Sequence, residues 1–248
     1  MISLEKALLS DRMMRALTGL DGPAFGQLEK RFAGVMAEAV AERTCVAQLL
    51  PKLQTLLHAQ LPARRGRSLT EVLAELPEVN EVLIDGTERP IARPQHKGRR
   101  DRHYSGRRKR CTIKNVVVTA QRRVLLLTPT APGRRHDKRE ADAARLRLGG
   151  QMRVLGDSGF QGYAAGAARV STPRKKPRGR PLHWRHQRSN RKLARARVVV
   201  EHVLASVKRL GILRQPLRAR RKTTADAVML IGCGLHNYRL DQAAAVQN

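Results

Sequence analysis

CTIKNVVVTAQRRVLLLTP, residues 111–129, holds two runs of β-branched and apolar residues, Cys111 to Ala120 and Arg122 to Pro129, about a tight turn near Gln121. Such runs fit a pleated, buried surface and predict a β-hairpin. Upstream, EVLIDG (Glu81 to Gly86) predicts a short strand ended by a turn. Downstream, MRVLGDSG (Met152 to Gly159) predicts another, ending at Asp157. Between them DKREADAARLRL (137–148) predicts a helix, stopped by Gly149-Gly150. A further helix is expected from about Ser189 to Leu210, with Val200, Val203, Leu204, Val207 and Leu210 as its buried stripe, and a last one from about Thr224 to Leu240. Strand, hairpin, helix, strand, helix is the order of an α/β fold.

Charge sets the class of partner. The 248 residues carry 50 Lys and Arg against 20 Asp and Glu, a formal net charge of +30. That excess implies a polyanion, nucleic acid before anionic membrane. Aromatic residues make up only 3% of the chain, so its core must be aliphatic, and single-strand binding by base stacking is disfavoured. Backbone-directed binding to a duplex fits better. Cys45, Cys111 and Cys233 match neither a zinc spacing nor a disulfide framework, which predicts a reducing, cytoplasmic compartment. No apolar stretch approaches the ~20 residues needed to span a bilayer, so no membrane partner is expected.

Residues 1–61 read as a helical N-terminal region. Leu4, Ala7 and Leu8 share a face, Asp21-Gly22-Pro23 makes a turn, and Phe25, Leu28 and Phe32 resume at helical spacing. Residues 62–78 open with the basic, turn-rich PARRGR and read as a linker. The α/β domain then covers 79–240, followed by a tail at 241–248. Residues 169–197 hold 12 Lys and Arg and no acid, a flexible basic loop feeding a helix.

Three acids interrupt apolar runs inside this basic chain: Asp85, Asp157 and Glu201. An unpaired carboxylate is costly in such a setting. Each also has a plain reading. Asp85 and Asp157 precede or flank glycine, where Asp caps turns, and Glu201 can pair with Arg197 one turn earlier. Two Asp from strand ends and one Glu from a helix can also bind a pair of Mg2+ ions, which prefer oxygen ligands. Two such ions activate the attacking oxygen and stabilise the leaving oxygen of a phosphodiester.

The motifs IDGTERPIARP, YSGRRKRCTIKNVVV, PGRRHDKR, GDSGFQGY, TPRKKPRG, NRKLARARVVVEHVLASVKR and LHNYRL follow one another from Val82 to about Leu240. In that order they resemble transposases of the DDE superfamily, of the insertion-sequence-five type related to DDE-superfamily endonucleases and Harbinger transposases. The resemblance implies a ribonuclease-H-like fold, a mixed sheet flanked by helices. It implies that Asp85, Asp157 and Glu201 converge to bind two Mg2+, with Mn2+ able to substitute. It further implies cleavage of the element's ends and strand transfer into target DNA. The partners implied are double-stranded DNA, bearing the terminal inverted repeats or the target, and further copies of the chain, in a bacterial, nucleoid-associated setting. RALTGLDGPAFGQLEKRF and AERTCVAQLLPKLQTLL resemble the two ends of the family's helix-turn-helix region, here abridged. The alternative is a catalytically silent, repressor-like DNA-binding derivative.

Around the acids, Arg107, Arg108, Lys109 and Arg110 form either a solvated loop or, with Lys114, a set of phosphate contacts. Arg174, Lys175, Lys176 and Arg178 are expected to follow the DNA backbone without reading sequence. Lys208 either meets DNA or pairs with Glu201. His136 and Asp137 open a helix, where Asp suits the N-terminal dipole, or else support the acids from behind. Cys111, His202 and His236 read as structural.

Overall fold

A computed structural model describes residues 20–41, 46–63, 69–74, 76–145, 148–166, 168–218 and 221–245. The expected face of Leu4, Ala7 and Leu8, and Cys45, lie outside them. The chain divides into two compact units: Met1–Leu61 with Ser206–Arg214 and Ala219–Asn248, and Pro62–Ala205 with Gln215–Arg218. The last helix belongs to the first unit, with the N-terminal helices.

The helical unit contains α1 (Gly22–Ala41), α2 (Val46–Leu56) and, at the end of the chain, a 24-residue helix, Lys222–Ala245, numbered α7. Asp21 starts α1 by accepting the Ala24 N–H on Oδ1 at 2.9 Å, the usual service of an N-cap carboxylate. The last helix is apolar nearly all round, and its residues from Ala227 to Gly234 are all buried, as expected of a helix surrounded by its neighbours. Gly234 lets it close on the segment just after α2: a Cβ there would meet Leu61 at 2.9 Å. Asn237 then donates to the Gln60 carbonyl at 2.8 Å.

The sheet unit is built on α3 (Leu69–Ala74), β1 (Glu81–Pro90), α4 (Lys97–His103), β2 (Tyr104–Ser105), β3 (Arg110–Ala120), β4 (Arg123–Leu127), β5 (Ala131–Pro132), α5 (Asp137–Ala144), β6 (Arg153–Leu155) and β7 (Arg169–Ser171). Helix α6 (Trp184–Val207) runs from this unit to its end at Ala205 and beyond. The strands form one mixed sheet in the order β2-β3-β1-β6-β7, with β4 and β5 also pairing β3. β1 and β3 are antiparallel, while β1, β6 and β7 are parallel. A mixed sheet of this order flanked by helices is the expected ribonuclease-H-like architecture. Ten consecutive residues of β3 are buried, so the sheet is covered on both faces. One face packs Val82, Ile84, Val116, Val118, Val154, Phe160 and Tyr163 into an aliphatic core.

The hairpin forms as read. Gln121 and Arg122 make its two-residue turn, both with positive φ (46° and 69°), the twist that matches right-handed strands. Elsewhere the elements differ from expectation. β1 does not stop at Gly86 but continues to Pro90, because its polar half is bonded across to β3: Thr112 donates to Glu88 at 2.8 Å and Arg89 to Asn115 at 2.8 Å. The helix at 137 ends at Ala144 rather than Leu148. Arg145 turns left-handed (φ 49°) and caps it, and Leu148 then pairs with the Ala165 carbonyl. α6 starts at Trp184, five residues early, where His183 Nδ1 accepts the Arg185 N–H. Within the basic stretch lies β7, which the sequence reading misses. The expected linker supplies Ala63, Leu69 and Val72 to the core.

Candidate active site

Register brings the two aspartates together. Leu83 and Leu155 are the last partners in the parallel pairing of β1 and β6. Asp85 and Asp157 each follow two residues later, so they sit at the same level where the two strands part. That end of parallel strands is where α/β sheets hold their ligands. Asp85 itself lies within β1, opposite Val117 of β3, and not at a strand end as expected. Both acids also carry out the plain tasks read from the sequence. Asp85 Oδ1 accepts the Gly86 N–H at 2.9 Å, and Asp157 Oδ1 accepts the Gly159 N–H at 2.7 Å as cap of the turn Ser158–Phe160. These bonds fix the rotation of each carboxylate.

Asp137 comes from the opposite face of the sheet. It opens α5 and reaches the backbone at Gly86, where a Cβ would lie 2.5 Å from its Oδ1; a Cβ on Gly159 would lie 3.4 Å from its Oδ2. Glycine at 86 is therefore what lets this carboxylate approach. Lys114 Nζ holds Asp137 Oδ1 at 2.8 Å and lies 3.7 Å from Glu88. Lys114 is thus a correction to the expected phosphate contacts. It is buried beneath the site and its ammonium is committed to these acids. His136, the cap residue of α5, is exposed and offers no side-chain cap bond.

Charge at the site is unbalanced. Burial pushes the Asp85 carboxyl up to about 6, and the neighbouring carboxylates of Asp157 and Asp137 add to the rise; the Arg197 guanidinium and the Gly86 N–H oppose it. Arg197 Nη2 lies 3.5 Å from Asp85 Oδ1. Read from sequence as a partner for Glu201 at i+4, it faces Asp85 instead. Glu201 is exposed, one turn further along α6. Among the described residues no three His, Cys, Asp or Glu side chains stand close enough to hold a metal ion together. Asp85 and Asp157 act on each other electrostatically, and Glu201 lies on α6 in the same unit.

The donor set still fits a divalent cation. Its atoms are carboxylate oxygens, the ligands Mg2+ prefers. Arg197 Nη2, 3.5 Å from Asp85 Oδ1, is the cation that stands beside that carboxylate.

The other basic residues divide by exposure. Arg107, Arg108 and Lys109 are exposed on the turn between β2 and β3, Arg110 is exposed at the start of β3, and Arg174, Lys175, Lys176 and Arg178 are exposed between β7 and α6. Lys208 follows the end of α6 and groups with the helical unit. His236 is buried, its Nδ1 3.0 Å from Ser206 Oγ, while His202 is exposed. Cys111 is a buried free thiol, as expected. No helix among the described residues is long and apolar enough to cross a membrane.

Residues 84–237 match a family model described as DDE superfamily endonuclease. The probable transposase for insertion sequence element IS702 of Microchaete diplosiphon is 33% identical over 171 residues, or 68% of this chain. The chain spans 61% of the length of that curated relative. No solved structure matches the chain.

Proposed function

The chain belongs to the DDE superfamily endonucleases, and from that premise we propose that it is an insertion-sequence transposase. In this reading it cuts double-stranded DNA at the element's terminal inverted repeats and joins the ends to target DNA. Asp85, Asp157 and Glu201 would hold two Mg2+, with Mn2+ able to substitute. The observation that supports the reading is the register of β1 and β6, whose last partners, Leu83 and Leu155, each stand two residues before an aspartate, Asp85 and Asp157. When bound, the ions supply Lewis-acid stabilisation of the attacking and leaving oxygens of a phosphodiester.

The chain's own residues do the positioning. Backbone N–H groups of Gly86 and Gly159 fix the orientation of the two aspartates. Lys114 holds Asp137 against Gly86. The exposed basic turns draw in DNA through its phosphates, which position a duplex without identifying its sequence. Assembly of copies on paired ends and association with the nucleoid belong to the same proposal.

The test uses purified protein, Mg2+ or Mn2+, and DNA carrying the element's ends. Cleavage and joining lost in Asp85→Ala and Asp157→Ala supports the reading. Cleavage without joining reduces it to a nuclease. Binding with no metal-dependent chemistry favours the second reading, a silent DNA-binding derivative. One observation speaks for that alternative: Arg197 Nη2 lies 3.5 Å from Asp85 Oδ1.

A further inference from the structure

A groove of about 680 Å3 opens in the sheet unit between the start of β1, strands β6 and β7, and helix α6. Glu81, Arg153 and Arg169 are successive register partners across its floor. By strand alternation they share the sheet face of Leu83 and Asp85. Two arginines side by side on one face repel each other. Glu81 compensates Arg153 at 3.2 Å, which leaves one cation in excess on the floor. Arg174 and Lys192 bring the lining to four cations and one carboxylate.

We infer that this groove seats the phosphodiester backbone of the DNA strand leading to Asp85 and Asp157. The inference deepens the transposase reading, on which it rests, by giving the substrate a path. The groove ends beside the acids: Leu155 lines it two residues before Asp157, and Ala196 lines it next to Arg197. Its cations come from four places: Arg153 on β6, Arg169 on β7, Arg174 beyond β7 and Lys192 on α6. The hydroxyls of Ser171, Thr172 and Ser189 add hydrogen-bond donors suited to phosphate oxygens.

The lip of the groove is built and not merely charged. Asn190 on α6 accepts the Arg174 N–H at 3.0 Å and donates to the Arg174 carbonyl at 2.9 Å. Gln161, four residues after Asp157, donates to the Pro173 carbonyl at 2.9 Å. The basic run Arg174 to Arg178 therefore leaves from a point tied both to the helix and to the loop of Asp157. A strand in the groove is handed directly to that run.

The experiment measures affinity by fluorescence anisotropy across a salt series, with a labelled duplex of about 30 base pairs as probe. Arg169→Gln with Lys192→Gln is expected to weaken binding at least tenfold at fixed salt. It should also lower the slope of log affinity against log salt by about 2, one for each phosphate no longer neutralised. Arg122→Gln, on the hairpin turn, should leave the slope unchanged. Lys192→Glu, an exposed helix position, repeats the test if the double variant melts early. An unchanged slope in the groove variants overturns the inference. So does disappearance of the wild-type advantage when inorganic pyrophosphate is added at constant ionic strength, which would mark a free-anion site. Asp85→Asn separates the two readings: if it cleaves as wild type does, the catalytic reading fails while the groove stands.

Discussion

Arg197 and Asp85 face each other across 3.5 Å, their side chains only 15% and 16% exposed. A guanidinium in this position competes with any divalent cation for the same carboxylate, and a cation arriving at Asp85 must displace it. Arg197→Gln should therefore tighten Mn2+ binding by about tenfold, ~1.4 kcal/mol, read by titration calorimetry without DNA. Unchanged or weaker binding would show that Arg197 does not guard the acid.

Asp85 gives the metal-free protein a pH signature. Its carboxyl, near 3.8 when unfolded, is pushed up to about 6 in the fold. Between those values the folded chain binds more protons than the unfolded one, so stability falls as pH rises, and above about 6 the whole penalty stands. Asp85→Asn should stabilise the chelator-treated protein by roughly 1–3 kcal/mol near pH 7.5, with no gain near pH 3. Urea unfolding at the two pH values decides it.

Lys114 lies under the site with its ammonium on Asp137. Removing one member of a buried pair strands the other. Lys114→Met should cost about 2–4 kcal/mol, and adding Asp137→Asn should recover part of that loss. A double variant no more stable than the single would mean that the pair is not what Lys114 supports.

Gly86→Ala tests the approach of Asp137. The new Cβ would fall 2.5 Å from an oxygen that Lys114 already holds, so the carboxylate must shift by a few tenths of an ångström or more. Cleavage should fall by about tenfold to a hundredfold, because small misplacements at a site are costly. The thermal midpoint should move little, since Gly86 has no positive φ to lose. Full activity in this variant would remove Asp137 from the site.

The parts of this protein that are legible in its sequence are those where apolar pattern decides structure. The hairpin of β3 and β4 and the level of Asp157 follow from runs of β-branched residues. β7 escapes because three residues, Arg-Val-Ser, pair only through their backbones with β6. β1 reads as shorter than it is because TERP looks like a turn until Thr112 and Asn115 supply cross-strand partners. Lys114 reads as a surface cation for the same reason: its partners, Asp137 and Glu88, are 23 and 26 positions away. The direction Arg197 takes depends on how α6 lies over the sheet, which helical spacing alone leaves open between Asp85 and Glu201.

Ala63 pairs with β4 on both sides of Leu126: its N–H donates to the Leu125 carbonyl at 2.7 Å, and its carbonyl accepts the Leu127 N–H at 3.1 Å. Arg-Val-Leu-Leu-Leu would otherwise present an open sheet edge, a template for strands of other chains. One residue thus serves as a selvedge on the sheet. A sheet unit excised at 64 would lose it and clump, whereas one begun at 62 would keep a finished border.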